Sequence, residues 1–147
     1  MNKMSLFSNT SEMKSLKMLE MGLDAAMVRR TVLANNIANV DVPHFKRSEV
    51  AFESEMKRAI DSTKKEAEEQ KLNTLHSGHI AGREGRDFRR VTPQIHTDYN
   101  SEMRNDGNNV DIEDEITKLN RNQMQYNLMV DRVSHQMRML NSLIRLS

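Results

Sequence analysis

The first third of the chain carries apolar residues in alternating steps of three and four. Leu16, Leu19, Leu23, Ala26, Arg30, Leu33, Ile37 and Val40 keep this rhythm, and seven of the eight are apolar. A helix with such a stripe presents a coiled-coil seam, here with one charged interruption at Arg30. The stretch "SNTSEMKS" supplies a start: Asn9 as cap with Glu12 three residues on resembles a capping box. Pro43 supplies the stop, because it has no N–H and pushes Val42 out of helical geometry. The pattern predicts a flexible tail over 1–9 and a seam helix over 10–41.

The far end repeats the pattern at greater length. "NDGNNVDIEDE" is a turn rich in Asn, Asp and Gly that runs into an acidic first helical turn, which suits the helix dipole. Ile112, Ile116, Leu119, Gln123, Tyr126, Val130, Val133, Met137, Leu140 and Ile144 then follow, nine of the ten apolar or aromatic. No Gly or Pro interrupts Ile112 to Ser147, so the second seam helix is predicted over 111–147. At about 1.5 Å per residue it would be roughly 54 Å long, far more than a small globule needs.

The two seams are expected to fold back antiparallel within one chain, a-type positions facing d-type. Leu16, Leu23, Arg30 and Ile37 are a-type and Leu19, Ala26, Leu33 and Val40 d-type. On the return helix Ile116, Gln123, Val130 and Met137 are a-type, with Leu119, Tyr126, Val133 and Leu140 d-type. One register gathers both polar exceptions into adjacent layers. It pairs Leu16 with Leu140, Leu19 with Met137, Leu23 with Val133, Ala26 with Val130 and Val40 with Ile116. It also sets Arg30 beside Tyr126 and Leu33 beside Gln123.

Residues 42–110 form a Pro-turn and an irregular middle segment. Within it Ser48 to Ile60 predicts a short helix, "DSTKKEAEEQ" a solvated charged stretch, and 71–110 loops with a small β-hairpin. The expected fold is mainly α: long N- and C-terminal helices forming an antiparallel coiled coil around an irregular middle.

Composition sharpens this picture. Hydrophobic residues make up 37% of the chain, there is no Trp, and mean hydropathy is −0.74. Compact globules run to roughly 45–50% apolar residues with glycine included. A chain this polar buries a narrow seam or completes its burial against other chains. Met13, Met18, Met21, Met27, Met124, Met129, Met137 and Met139 all fall on the two long helices. Met124, Leu128, Met139, Leu143 and Leu146 lie off the main seam and widen the apolar surface beyond what one partner helix covers. Adaptable side chains on a broad face suit a subunit whose copies meet non-identical neighbours.

Candidate chemistry adds little. The net charge of +1 gives no field to draw nucleic acid or anionic lipid, and Glu84 and Asp87 interrupt the arginines of "REGRDFRR". Without cysteine there is no disulfide or thiolate chemistry. No stretch approaches the ~20 apolar residues of a membrane span, and the first residues have no apolar run of signal-peptide length. His76 and His79 in "HSGH" have no Cys or acidic ligand beside them, and His44, His96 and His135 are scattered. No phosphate-binding glycine loop or nucleophile elbow occurs. No catalytic, cofactor-binding or metal site is assigned, and the chain reads as a non-enzyme.

The most pointed feature is "ANNIANVDVPHFK", with three asparagines in five positions at the end of a helix. Asn36 and Asn39 are three apart and Asn35 and Asn39 four apart, so the amides share a face, with Leu33, Ile37 and Val40 as its apolar edge. Each amide both donates and accepts. The cluster is expected to be a polar joint, bonding backbone of the return loop or of a neighbouring chain, rather than a frayed helix end.

"LANNIANVDVPHFK" closing one long helix and "DGNNVDIEDEITKLNRNQMQYN" opening another resembles the flagellar axial proteins, most closely the basal-body rod proteins of the proximal rod, the FlgB type. Two departures stand out: the family usually has Thr before this Pro and Gly after it, where this chain has Val42 and His44. The resemblance implies a structural subunit of the proximal rod, self-assembling with other axial proteins into the drive shaft that carries torque from the motor ring to hook and filament. It implies as partners copies of itself, other rod proteins, the rod-to-ring junction protein, the membrane-ring protein and the flagellar type III export apparatus. Neither nucleic acid nor a membrane span is expected, and the implied location is the periplasmic rod of the basal body, reached without signal cleavage. The expected assembly interface comprises Leu33, Asn35, Asn36, Ile37, Asn39, Pro43, Phe45, Gly107, Asn108, Asn109, Val110, Gln123 and Tyr126. A generic coiled-coil adapter or scaffold would explain the heptads but not the asparagine cluster.

Overall fold

The computed structural model describes residues 11–68 and 86–146, with side chains except at 65–68, 143 and 146. In chain order the elements are α1 (Ser11–Ala38), β1 (Ser48–Ala51), α2 (Glu53–Glu68), a single 3-10 turn (Phe88–Arg90), β2 (Gln94–Thr97) and α3 (Ile112–Leu146). Two compact units result, one from the described parts of 1–50 and 93–147, the other from those of 51–92. Asn9, the expected cap, and the histidines of "HSGH" lie outside the described residues, while Glu12 stands in the first turn of α1.

The middle differs from the sequence expectation. Ser48–Ala51 is a strand, with Val50 buried and Glu49 exposed, the alternation of a half-buried strand. The helix starts only at Glu53 and then continues through the charged stretch to Glu68. Lys, Glu and Ala are strong helix formers, so a polar run carries a helix whose buried face is already set by Met56 and Ala59. The two strands do form an antiparallel pair, but they are not neighbours in sequence. Asp98 N–H donates to Arg47 O at 2.9 Å, and the Ser48 and Thr97 hydroxyls, 49 residues apart, meet at 3.0 Å.

Helices α1 and α3 lie side by side and antiparallel. Asn36 meets Glu115, Ala26 meets Asn122, and Ser15 meets Gln136. The expected register is therefore wrong: Ala26 opposes Asn122 rather than Val130. Arg30 and Gln123 are both exposed, and the Gln123 amide turns back along its own helix to Asn127 Oδ1 at 3.0 Å. Burying a guanidinium and an amide in one seam costs more than turning both to water.

The small residues Gly22, Ala25 and Ala26 explain the register. Ala25 and Ala26 are buried, and a Cβ on Gly22 would lie 2.9 Å from Met129 Sδ. Small side chains let the partner helix come close enough for Asn122 Nδ2 to reach the Ala26 carbonyl at 2.9 Å. Gly22→Ala is expected to be close to neutral in urea unfolding, since a gain of up to about 1 kcal/mol in helix propensity offsets the shift of a flexible methionine. Gly22→Val should cost about 1–3 kcal/mol through overpacking.

Candidate assembly joint and interface

Helix α1 ends without a glycine cap; its carbonyls at Asn35, Asn36 and Ile37 accept from the N–H groups of Asn39 and Val40. The turn that follows is fastened by Asn108, on the loop before α3. Its Nδ2 lies 3.2, 3.0 and 2.9 Å from the carbonyl oxygens of Asn39, Val40 and Val42, while its Oδ1 accepts from Val110 N–H at 2.8 Å. One buried amide thus ties down the turn after the first helix and shapes the turn into the second. Asp111 completes that entry, its Oδ1 accepting from Glu113 N–H at 2.9 Å.

Asn36 is fully buried. It accepts from Ser48 N–H at 3.1 Å and donates to Ser48 O at 2.8 Å, so the side chain pairs with β1 as a neighbouring strand would. Its amide also donates to Glu115 Oε2 at 2.8 Å. Glu115, 1% exposed, has Arg47 Nε 3.1 Å from Oε1, a close ion pair whose angle falls short of a hydrogen bond. Lys118 Nζ stands further off, at 3.9 Å. A carboxylate this buried needs such compensation.

Asn109 fastens the sheet. Its Oδ1 accepts from Arg47 N–H at 2.6 Å, and its Nδ2 donates to Asp98 O at 2.9 Å and Ser101 Oγ at 3.0 Å. The Asp98 carboxylate accepts from the Ser101 hydroxyl and from the N–H groups of Asn100 and Ser101, which hold its pKa below the usual aspartate value. That contribution is present above the unfolded-state pKa and is lost as pH falls through the lowered folded value.

Opposite, the turn after α1 is locked by His44 against Gly107. His44 takes φ 60°, in the left-handed region that L residues with a Cβ rarely adopt. Gly107 has φ 76°, and a Cβ there would fall 2.7 Å from His44 Nδ1. Gly107→Ala is expected to cost about 1–3 kcal/mol in urea unfolding. Adding His44→Gly should recover the part due to the ring clash, visible as a coupling in the double-mutant cycle.

The sequence-predicted interface residues separate into three groups. Leu33, Asn36, Asn108, Asn109 and Val110 are buried within the chain, and Ile37, Asn39, Phe45, Gly107 and Tyr126 are half-buried. Asn35, Pro43 and Gln123 are exposed. The three clustered amides do not act as one surface: Asn39 Nδ2 folds back onto Asn35 O and Oδ1 at 2.7 and 2.9 Å, and only Asn36 points inward. Glu115, Arg47, Ser48 and Asn122 were missed. Nothing in the acidic run separates Glu115 from Glu113 and Asp114 except that it falls seven residues before Asn122, on the same face.

The outer side of α3 is where apolar surface collects. Ile112, Ile116, Val130, Met137 and Ile144 are exposed, as are Met124, Leu128 and Met139. Among the described residues no group of three or more His, Asp or Glu could hold a metal ion, and no helix is long and apolar enough to cross a membrane.

No family model matches the chain. It is 38% identical over 125 residues to the flagellar basal body rod protein FlgB of Borreliella burgdorferi, covering 84% of this chain and 90% of that one. The Chain belongs to the FlgB family. The FlgB protein of Borrelia hermsii is 40% identical over 123 residues, with the same coverage of both chains. The FlgB protein of Bacillus subtilis is 29% identical over 143 residues, 96% of this chain and 97% of its own. In this FlgB-family chain Asn36 of the first signature segment and Asn109 of the second are linked through Glu115 and Arg47.

Proposed function

We propose that this FlgB-family chain is a structural, non-catalytic subunit of the flagellar basal-body rod. The observation that carries the reading is the division of labour on α3. A buried joint holds one row of the helix against α1, while apolar residues beside that row stay at the surface, ready to be covered by neighbouring chains. Its neighbours are copies of itself and other rod proteins. The rod-to-ring junction and membrane-ring proteins lie at the base, and delivery to the periplasm is by the flagellar type III export apparatus, without signal cleavage. The helix pair extends into coiled-coil packing within the rod, and the rod transmits torque to hook and filament. Asn35, Pro43, Gln123 and the exposed parts of Ile37, Asn39, Phe45, Gly107 and Tyr126 belong to the assembly surface, which the buried members support from behind.

Deleting the coding sequence should abolish swimming and leave basal bodies without a rod, with rescue by the intact gene. Val130→Asp combined with Met137→Asp should keep the helical circular dichroism of the parent yet fail to rescue. Normal swimming of the deletion strain would refute the rod reading. Full rescue by the aspartate variant would remove the outer face of α3 from it. A discrete dimer in sedimentation, with swimming unaffected by deletion, would favour the adapter.

A further inference from the structure

Helix α3 buries its polar row and exposes its apolar one. Glu115, Asn122, Met129 and Gln136 recur every seven residues and face α1, with Leu119, Tyr126, Val133 and Leu140 half-buried beside them. Ile116, Gln123, Val130, Met137 and Ile144 recur with the same period one position on; all are exposed, and all but Gln123 are apolar. Both seams share the row of Leu119, Tyr126, Val133 and Leu140. At 3.5 residues per turn, moving from one seam to the other takes an axial rotation of only about 50°.

On hydrophobicity alone the helix should make that rotation, since apolar rows are driven inward. It is held back by polar contacts that each need one orientation. Asn122, 4% exposed, donates to the Ala26 carbonyl at 2.9 Å, and Gln136 Nε2 donates to Ser15 Oγ at 2.6 Å. Neither contact maximises stability: the carbonyl oxygens Asn122 Oδ1 and Gln136 Oε1 are buried without a partner among the described residues. Buried, half-satisfied amides are costly, and a seam position filled by leucine would be more favourable. Polar seam residues that cost stability are known to select one helix arrangement over another.

We infer that Asn122 and Gln136 are orienting residues, which set the rotation of α3 about its axis so that the row of Ile116, Val130, Met137 and Ile144 stays outside and open to assembly. The inference rests on the proposed rod function only for what the exposed row serves. The orientation itself can be measured on the free full-length chain, apart from motility. The chain has no cysteine, so Val130→Cys and Met129→Cys are clean single labels for the outer and inner rows.

With Asn122 and Gln136 in place, alkylation at 130 should be faster than at 129 by on the order of tenfold or more. In the Asn122→Leu/Gln136→Leu background the ratio should collapse or invert, with helix content and melting temperature equal to or above the parent's. Equal rates at the two positions in the parent would overturn the inference, because the helix would then have no held orientation. An unchanged ratio in the double variant would overturn it as well. So would fast labelling at both positions with loss of helix, since the amides would then be needed for pairing as such. Loss of rod function in the deletion strain bears on none of these outcomes.

Discussion

Replacing Asn36 by Leu is expected to destabilise the unit built on α1 and α3 by about 3–5 kcal/mol, despite the better helix propensity of leucine. The substitution removes the partner of Ser48 N–H and Ser48 O and one of the partners of the buried Glu115 carboxylate. Leaving a buried polar group unsatisfied costs about 1–3 kcal/mol, and more when it is charged. Because total stability of a domain is about 5–15 kcal/mol, a loss of this size unfolds a large fraction of molecules near physiological temperature. Urea unfolding followed by far-UV circular dichroism reads it directly. A loss below about 1 kcal/mol would mean that the joint is hydrated and contributes through assembly alone.

The second large effect is expected at Asn108. Asn108→Ala takes one donor from each of the Asn39, Val40 and Val42 carbonyls, which keep Val42 N–H, Arg104 Nη1 and Phe45 N–H respectively, and leaves the buried Val110 N–H without its partner. The expected cost is about 2–4 kcal/mol. Asn108→Asp separates the two jobs of the residue. It keeps an oxygen for Val110 N–H but turns a second oxygen toward the carbonyls, so at neutral pH it should be at least as damaging as alanine. As pH falls and the new carboxylate is protonated, it regains a donor, and stability relative to the alanine variant should rise. Equal stabilities of the two variants at all pH values would show that the amide does not fasten the turn after α1.

The long helices were legible because their signals are local. An apolar rhythm, an acidic first turn and a proline stop each act within a few residues. The family was legible too, since the asparagine segments are compact and distinctive. Rotation and register of the helices were not. Leu16 to Val40 reads as a single a/d seam, but which edge of it faces α3 depends on Gly22, Ala25 and Ala26 permitting close approach and on Asn122 reaching a backbone carbonyl. Those are properties of a pair of helices, and a one-helix pattern does not contain them. The joint was half visible. Amides at 35, 36 and 39 announced polar contacts, yet their sharing of a helix face suggested one surface, whereas the structure buries Asn36 and leaves Asn35 outside. Glu115 could not be picked from its acidic neighbours, because its role comes from Arg47 and Asn36, far away in the chain. The strand at Ser48–Ala51 was hidden for a similar reason: its partner, Gln94–Thr97, lies far along the chain.

The central claim is that a buried asparagine–glutamate joint holds α1 and α3 together within the chain, while one apolar row of α3 is left for neighbouring chains in the rod. Cryo-electron microscopy of basal bodies isolated from cells that make this protein tests it most directly. The account predicts copies of the chain in the rod, with Asn36 bonded to Ser48 and Glu115 inside each copy and with Val130 and Met137 buried against an adjacent subunit. Absence of the chain from the rod, or copies in which Val130 and Met137 face water while Asn36 bonds a neighbour, would contradict it.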